Sequence, residues 1–267
     1  MSSSKILAGK NAVIFGAGGT IGSAVAREFA AEGAEVFLSG RTQATVEAVA
    51  KEITAAGGKA HAAVVDALRD GAVDDYVDGI AKQVGRIDIE FNAVGPRFSD
   101  LATGKPAIDL TLAEFMGPVT TILKSQFNTA RSVGRHMVKQ RSGVIIFVTG
   151  SPARGHVEGA TALGAAFGAI ETVMENMAFE ISQHGVRVVC LRTTANIDST
   201  QIQHVIEAAT QGGATREQVI ARLGSLNFKK VPATVSDTAK VAVLLASDRA
   251  RMVTGTVINS TAGSAMD

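Results

Sequence analysis

The sequence predicts an α/β fold, in which a mainly parallel sheet of seven strands is doubly wound with helices on both faces. Apolar stretches of strand length alternate along the chain with segments that repeat apolar residues at helical spacing. The strand stretches are apolar continuously rather than at every second residue, which indicates burial on both faces. A sheet buried on both faces requires a layer of helices on each side, and this is the doubly wound arrangement.

The elements follow one another in a regular order. Strands are predicted at residues 11–16, 35–40, 62–67, 87–94, 143–150, 187–193 and 255–261. Helical spacing is found in segments that include 21–32, 42–56, 70–84, 111–140, 163–184 and 235–247. Residues 197–232, rich in Thr, Gln and Gly, indicate an inserted pair of short helices near the site, a substrate loop within the same unit. Because no repeat or linker divides the chain, residues 1–267 are predicted to form a single domain.

Composition and charge exclude several classes of function. Hydrophobic residues make up 46% and charged residues 19%, so the chain can bury a large core. A net charge of +1 without a Lys/Arg run predicts no nucleic-acid binding, and the lack of a long apolar stretch predicts no membrane association and a cytoplasmic protein. Cys190 is the only cysteine and the five histidines are scattered, so no metal site is expected.

A glycine-rich turn follows the first strand, in the stretch FGAGGTIGSAVAREF. Strand, glycine turn and helix in this order are typical of a dinucleotide-binding (Rossmann-type) domain. The glycines let the backbone approach a pyrophosphate, and the start of the helix offers free N–H groups and a partial positive charge. An ordinary tight turn is the alternative. The residues expected to bind the cofactor here are Gly16, Gly18, Gly19, Thr20, Ile21 and Gly22.

The end of the second strand indicates which dinucleotide is bound. It reads SGRT, without the carboxylate that would grip a ribose diol, whereas Arg41 and Thr42 suit a 2′-phosphate. We therefore expect NADP(H) as the preferred cofactor, with NAD(H) as the alternative. The alternative for Arg41 is an ordinary solvated surface arginine.

Over nearly its whole length the chain resembles the short-chain dehydrogenase/reductase family. The turn GAGGTIG resembles that family's glycine motif, with Thr20 where its middle glycine is expected, and LLASDRARMVTGTVINSTAG resembles its C-terminal run. The resemblance implies that Asp66, with Ala67 beside it, holds the adenine amino group. It also implies that Asn92, Ala93 and Val94 lie beside the cofactor, and that the helix of 163–184 joins subunits of a homo-oligomer, a dimer or tetramer.

The catalytic residues that the resemblance implies are absent. Members of the family transfer a proton through Asn, Ser, Tyr and Lys. These four positions fall on Ile122, Gly150, Leu163 and Phe167, and the only tyrosine of the chain, Tyr76, lies in an early helix. The standard proton relay is therefore not expected to operate.

A few polar groups remain near the vacant positions. Thr149 and Ser151 flank Gly150, and either hydroxyl could donate a hydrogen bond to a substrate carbonyl, so these two are the predicted catalytic residues. Arg154, His156 and Glu158 lie on the following loop, where one could act as acid or base, or all three could be solvated loop residues.

Three functions stay open at this point. The first is an NADP(H)-dependent oxidoreductase acting on a small-molecule carbonyl, alcohol or enone through a non-standard proton relay. The second is an inactive NADP(H)-binding sensor or scaffold, because the cofactor motifs need none of the four missing residues. The third is a non-redox lyase or isomerase that uses the same crevice, against which the glycine turn, Arg41 and Asp66 argue.

Overall fold

The computed structural model describes residues 5–101 and 104–267. The strands and helices, in chain order, are β1 Asn11–Phe15, α1 Thr20–Ala31, β2 Glu35–Gly40, α2 Gln43–Ala55, β3 Lys59–Val64, α3 Asp70–Val84, β4 Ile89–Asn92, α4 Leu112–Gln140, β5 Gly143–Gly150, α5 Thr161–Ile181, β6 Val186–Thr193, α6 Thr200–Gln211, α7 Arg216–Ser225, α8 Val235–Ala246 and β7 Thr256–Asn259. The seven strands form one sheet in the order β3-β2-β1-β4-β5-β6-β7, and every pair is parallel. The predicted fold class is confirmed.

Each face of the sheet is covered by a separate apolar core. Ile14 and Leu38 point to the face that α1 and α8 cover, where they join Phe29. Val13 and Ile145 point to the opposite face, under α3, α4 and α5. Alternate residues of each strand thus enter different cores, which explains why the strand sequences are apolar throughout.

The third strand differs from its prediction. It pairs with β2 from Lys59 to Val64 and does not extend over residues 62–67. His61 is polar but stacks on Phe37 of β2 with ring centroids 4.7 Å apart and lies 2.7 Å from a Glu35 carboxylate oxygen. Contacts with β2 therefore hold β3 in place at the edge of the sheet, although residues such as His61 do not follow an apolar pattern. Val65, placed in the strand by its apolar neighbours, is buried in the loop that follows.

The strand order reverses between β1 and β4, and this places the site. From β1 the chain runs outward to β2 and β3 and then crosses back to β4, which pairs with the other side of β1. In such sheets ligands bind at the carboxyl ends of the strands where the order reverses. The segment 197–232 contains α6 and α7. No helix within the described residues is both long and apolar enough to cross a bilayer.

Candidate functional site

The glycine turn after β1 is shaped by close backbone contacts. Gly16 has φ of +74°, and a Cβ built there would lie 2.8 Å from the Ala93 carbonyl carbon. A Cβ on Gly22 would lie 2.3 Å from the Gly16 carbonyl oxygen. Helix α1 starts directly after Gly19 without a side-chain cap. Side chains are thus excluded from the turn, and the first N–H groups of α1 remain available for an anion.

A cavity of about 200 Å³ opens beside this turn at the carboxyl ends of β1, β2 and β4. Among its lining residues are these from the predicted cofactor set: Gly16, Gly19, Arg41, Asp66, Ala67, Ala93 and Val94. The structure thus brings together residues from four separate parts of the sequence. Ser39, Leu68 and Thr121 also line the cavity. They were not predicted, because no motif in the sequence marks them.

The other predicted turn residues lie around the cavity rather than in its wall. A Cβ on Gly18 would lie 2.3 Å from the Thr45 hydroxyl oxygen, so this glycine allows α2 to pack against the turn. The Thr20 hydroxyl lies 2.7 Å from that of Thr200 and accepts a hydrogen bond from the Thr200 N–H at 3.1 Å. Thr20 therefore connects the turn to the start of α6. Ile21 follows in the first turn of α1, and Thr42 is exposed at the start of α2.

Two polar side chains shape the cavity through the backbone. A carboxylate oxygen of Asp66 accepts a hydrogen bond from the Leu68 N–H at 3.1 Å. Asn92 is buried and does not line the cavity, and its side-chain oxygen accepts a hydrogen bond from the Val94 N–H at 2.7 Å. Asp66 is thus presented to the cavity, whereas Asn92 acts on it through Val94.

The four positions implied for the proton relay are all occupied by residues without a polar side chain. Ile122 is fully buried, and Leu163 and Phe167 pack partly buried against the core under α5. The Phe167 ring covers Gly150, since a Cβ built on that glycine would lie 3.0 Å from Phe167 Cε2. A side chain at the expected serine position would therefore press against the edge of this ring. The absence of a side chain on Gly150 leaves room for the large ring of Phe167.

We expect Gly150→Ser to destabilise the protein by about 1–3 kcal/mol, because the new side chain overlaps the Phe167 ring. The same substitution should cost less in a Phe167→Leu background, where the ring edge is gone. Urea unfolding of the wild type, the two single variants and the double variant gives the coupling between the positions. An identical cost in both backgrounds would show that Phe167 does not restrict this position.

The two hydroxyls predicted to be catalytic have different surroundings. The Thr149 hydroxyl is buried, donates to a Glu171 carboxylate oxygen at 3.1 Å and lies 3.2 Å from Cys190 Sγ. A hydroxyl committed in this way is not free to bind a substrate carbonyl. Ser151 is only partly buried and begins the short turn after β5. Ser151 is therefore the stronger of the two candidates.

Glu171 and Arg192 form a buried ion pair beneath this turn. Arg192 Nε and Nη2 donate to the two Glu171 carboxylate oxygens at 2.8 and 2.9 Å, and both side chains are 1% exposed. Arg192 also contacts the Asp267 carboxylate, and Arg154 Nε lies 3.5 Å from Glu171 Oε2. This network was not predicted, because its only signal in the sequence is Arg192 within the mostly apolar strand RVVCLRT.

The loop between β5 and α5 carries the remaining polar candidates. His156 and Glu158 line an open depression of about 350 Å³ at the start of α5. Arg154 points away from it, toward Glu171. A Cβ on Gly159 would lie 2.2 Å from the Gly104 N atom, so the loop packs against the segment that follows β4. Tyr76 lies in α3, where its ring packs edge-on against Phe15 at 6.0 Å and its hydroxyl is buried.

A doubly wound parallel sheet with an uncapped helix start at its reversal point defines a class of dinucleotide-binding proteins. The family model for short chain dehydrogenases matches residues 10–211. The chain therefore belongs to the short-chain dehydrogenase/reductase family.

Individual relatives match nearly the whole chain. The 3-oxoacyl-[acyl-carrier-protein] reductase FabG of Chlamydia pneumoniae is 28% identical over 93% of this chain and 94% of its own. The 7alpha-hydroxysteroid dehydrogenase of Escherichia coli (strain K12) is 27% identical over 96% and 94%. Among solved structures, one described as an NAD(P) dependent gluconate 5-dehydrogenase from Beutenbergia cavernae, with NADP bound at low occupancy, has a TM-score of 0.84. It is 28% identical to this chain and covers 98% of it and 99% of its own chain. These relatives are oxidoreductases with different substrates.

Proposed function

We propose that the protein is an NADP(H)-dependent oxidoreductase that acts on a carbonyl, alcohol or enone through a non-standard proton relay. The observation that carries the proposal is the cavity that joins the glycine turn to Arg41 and Asp66. Its walls combine the start of a helix, which attracts phosphate, with a cation at the end of β2. Membership of a family of oxidoreductases supports the same function.

The residues of the cavity fit NADP(H) better than NAD(H). Gly16 and Gly22 keep side chains out of the turn, so a pyrophosphate can approach the backbone. β2 ends in Ser39 and Gly40, and Arg41 follows directly, so no carboxylate stands at this point to repel a 2′-phosphate. The NADP bound to a 28% identical relative is consistent with this preference. NAD(H) remains the alternative cofactor.

The chemistry is limited by the apolar character of Gly150, Leu163 and Phe167. The cofactor, when bound, supplies or accepts a hydride. In this proposal the Ser151 hydroxyl donates a hydrogen bond to the substrate oxygen. The proton comes from water, the substrate or a loop residue such as His156. Loss of general acid catalysis costs about 10²- to 10⁴-fold, which a conjugated or otherwise polarised carbonyl can tolerate.

The function is tested by incubating the protein and NADPH, deuterated at the transferred position, with a panel of aldehydes, ketones and enones. We expect oxidation of NADPH and deuterium in a product, fastest with conjugated substrates. Tight NADPH binding without oxidation by any member of the panel would contradict the proposal. That result would favour a sensor or scaffold, which needs no proton relay and so is consistent with apolar residues at Gly150, Leu163 and Phe167.

Arg41→Ala is expected to weaken NADPH binding by about 10- to 100-fold, because a charged hydrogen bond to the 2′-phosphate is lost. NADH binding should change little, since NADH lacks that phosphate. Titrations that follow nicotinamide fluorescence measure both. Arg27→Ala is the matched control, because Arg27 is also a surface arginine but pairs with Glu52 on α2. Equal losses for NADPH and NADH would assign Arg41 a structural role.

We also propose that the protein forms a homo-oligomer, either a dimer or a tetramer. Exposed aromatic side chains on two neighbouring helices support it: Phe127 of α4 is 47% exposed and Phe179 of α5 is 89% exposed. Large apolar side chains of this kind are commonly covered by partner subunits.

A further inference from the structure

Glu90 is a carboxyl group in the middle of the sheet. It lies on β4 between Val13 of β1 and Ile145 of β5, on the face that α4 covers, and it is 1% exposed. Its Oε1 atom has no hydrogen-bond partner among the described residues. A carboxylate in such a place would lose its hydration without gaining a counter-ion. Burial therefore raises the pKa of Glu90 to about 8, against a smaller lowering by the Thr129 hydroxyl.

No opposite charge is directed at Glu90 within the described part of the chain. The neighbouring strands β1 and β5 carry no ionisable side chain. Basic groups of α4 pair instead with acidic groups of α3, in the contacts Arg131–Asp74, Arg135–Asp74 and His136–Asp78, while Lys124 and Lys139 are exposed. On the same face of the sheet, Tyr76 of α3 is buried and Glu171 of α5 is held by Arg192. The protonation of Glu90 thus depends mainly on its burial and on Thr129.

Thr129 connects Glu90 to the cavity wall. Its hydroxyl accepts a hydrogen bond from the Asn92 side-chain amide at 2.8 Å and donates to the Gln126 carbonyl oxygen at 3.2 Å. The side-chain oxygen of Asn92 accepts from the Val94 N–H at 2.7 Å, and Val94 lines the cavity. Hydrogen bonds therefore run from Thr129, the hydroxyl that acts on the buried carboxyl, through Asn92 to the wall of the proposed cofactor site.

The two protonation states of Glu90 place different demands on Thr129. A neutral carboxyl can donate its O–H to the second lone pair of the Thr129 oxygen, so Thr129 keeps its hydrogen bonds with Asn92 and with the Gln126 carbonyl oxygen. An ionised carboxylate only accepts, so it competes with the Gln126 carbonyl for the single Thr129 hydrogen. It also adds a negative charge in a medium of low dielectric beneath a site for an anion.

We propose that Glu90 is a positioning residue whose protonation controls dinucleotide binding: the neutral carboxyl holds Thr129, Asn92 and Val94 in the binding arrangement, and its ionisation weakens binding. This inference rests on the proposed cofactor site. By linkage, the bound dinucleotide favours the neutral carboxyl to the same extent that ionisation disfavours the dinucleotide. Affinity should therefore fall as the pH rises through the titration of Glu90.

Stability should follow the same titration. The unfolded chain releases this proton near the ordinary value of 4.5, whereas the folded protein keeps it until about pH 8. Between these values the folded state binds more protons, so the free energy of unfolding decreases as the pH rises. Glu90→Gln, which cannot ionise, should remove this decrease.

The test compares NADPH affinity from about pH 6 to about pH 9 for the wild type, Glu90→Gln and the control Glu35→Gln. Glu35 is a strand carboxylate that is partly exposed and pairs with Lys59 and His61. We expect the wild-type affinity to fall about 10-fold more over this range than that of Glu90→Gln, while Glu35→Gln follows the wild type. Titration of the 2′-phosphate affects all three proteins equally and cancels in the comparison.

A second readout separates positioning from general stability. The amide resonance of Val94 should titrate in the wild type with the midpoint of the affinity change and should not titrate in Glu90→Gln. Binding with parallel pH profiles in the wild type and Glu90→Gln would overturn the role of Glu90 and leave the proposed function intact. Absence of NADPH binding by the wild type at every pH would overturn both.

Discussion

Arg192→Leu is expected to lower the free energy of unfolding by about 3–5 kcal/mol, the largest effect on stability expected for any single substitution considered. Among the described residues, the variant leaves the buried Glu171 carboxylate in contact with Thr149 and with the more distant Arg154. A buried charge that loses its partner keeps its full desolvation cost. Urea unfolding at neutral pH measures the loss.

The double variant Glu171→Leu with Arg192→Leu is the control for this prediction. It removes both charges and fills similar volumes with apolar side chains, so it should recover most of the loss, as replacements of buried ion pairs often do. The Asp267 carboxylate also loses Arg192, but it is exposed and contributes little. A double variant as unstable as Arg192→Leu would mean that packing of the arginine, rather than the unpaired charge, stabilises this region.

Gly22→Ala is expected to reduce NADPH affinity by about 10- to 100-fold, a cost of roughly 1–3 kcal/mol for an overpacked site. The new Cβ would lie 2.3 Å from the Gly16 carbonyl oxygen and 2.9 Å from its carbonyl carbon. Both are backbone atoms, so the turn must shift away from the start of α1. Titration of the purified variant with NADPH measures the effect on the site where phosphate is expected to bind.

Gly79→Ala provides the matched comparison. Gly79 lies inside α3, and a Cβ there would meet nothing within 4 Å. Alanine is favoured over glycine in a helix by about 0.5–1 kcal/mol, so this variant should bind NADPH normally and be slightly more stable. Equal NADPH affinity of Gly22→Ala and wild type would show that the turn can shift without harm to the site, or that the pyrophosphate does not bind there.

Several features of the site could be read in the sequence because they depend on local geometry. The spacing of Gly16, Gly19 and Gly22 between a strand and a helix predicted the turn, and the resemblance to the short-chain dehydrogenase/reductase family implied Asp66 and Ala93. Ser39 and Thr121 line the same cavity but were not predicted. They reach it through sheet pairing and the packing of α4, which no short motif records.

The burial of the charged groups inside the core could not be predicted from the sequence. Glu90 and Arg192 each appear in the sequence as a charged residue within a mostly apolar stretch that has a second charged residue near its start, Asp88 and Arg187 respectively. Whether such a residue is exposed at an edge or buried depends on the strands beside it. Only the sheet order, which places β4 and β6 in its interior, shows that both are enclosed.

The sequence alone thus determined the fold class, the position of the glycine turn and the apolar character of Gly150, Leu163 and Phe167, because hydrophobic periodicity and glycine spacing are local properties. The tertiary structure decided that the Phe167 ring fills the space over Gly150, that the Thr149 hydroxyl is committed to Glu171, and that Glu90 connects to Val94 through Thr129 and Asn92. These contacts join residues that are distant in the chain, and their distances are fixed by how strands and helices pack, not by sequence spacing.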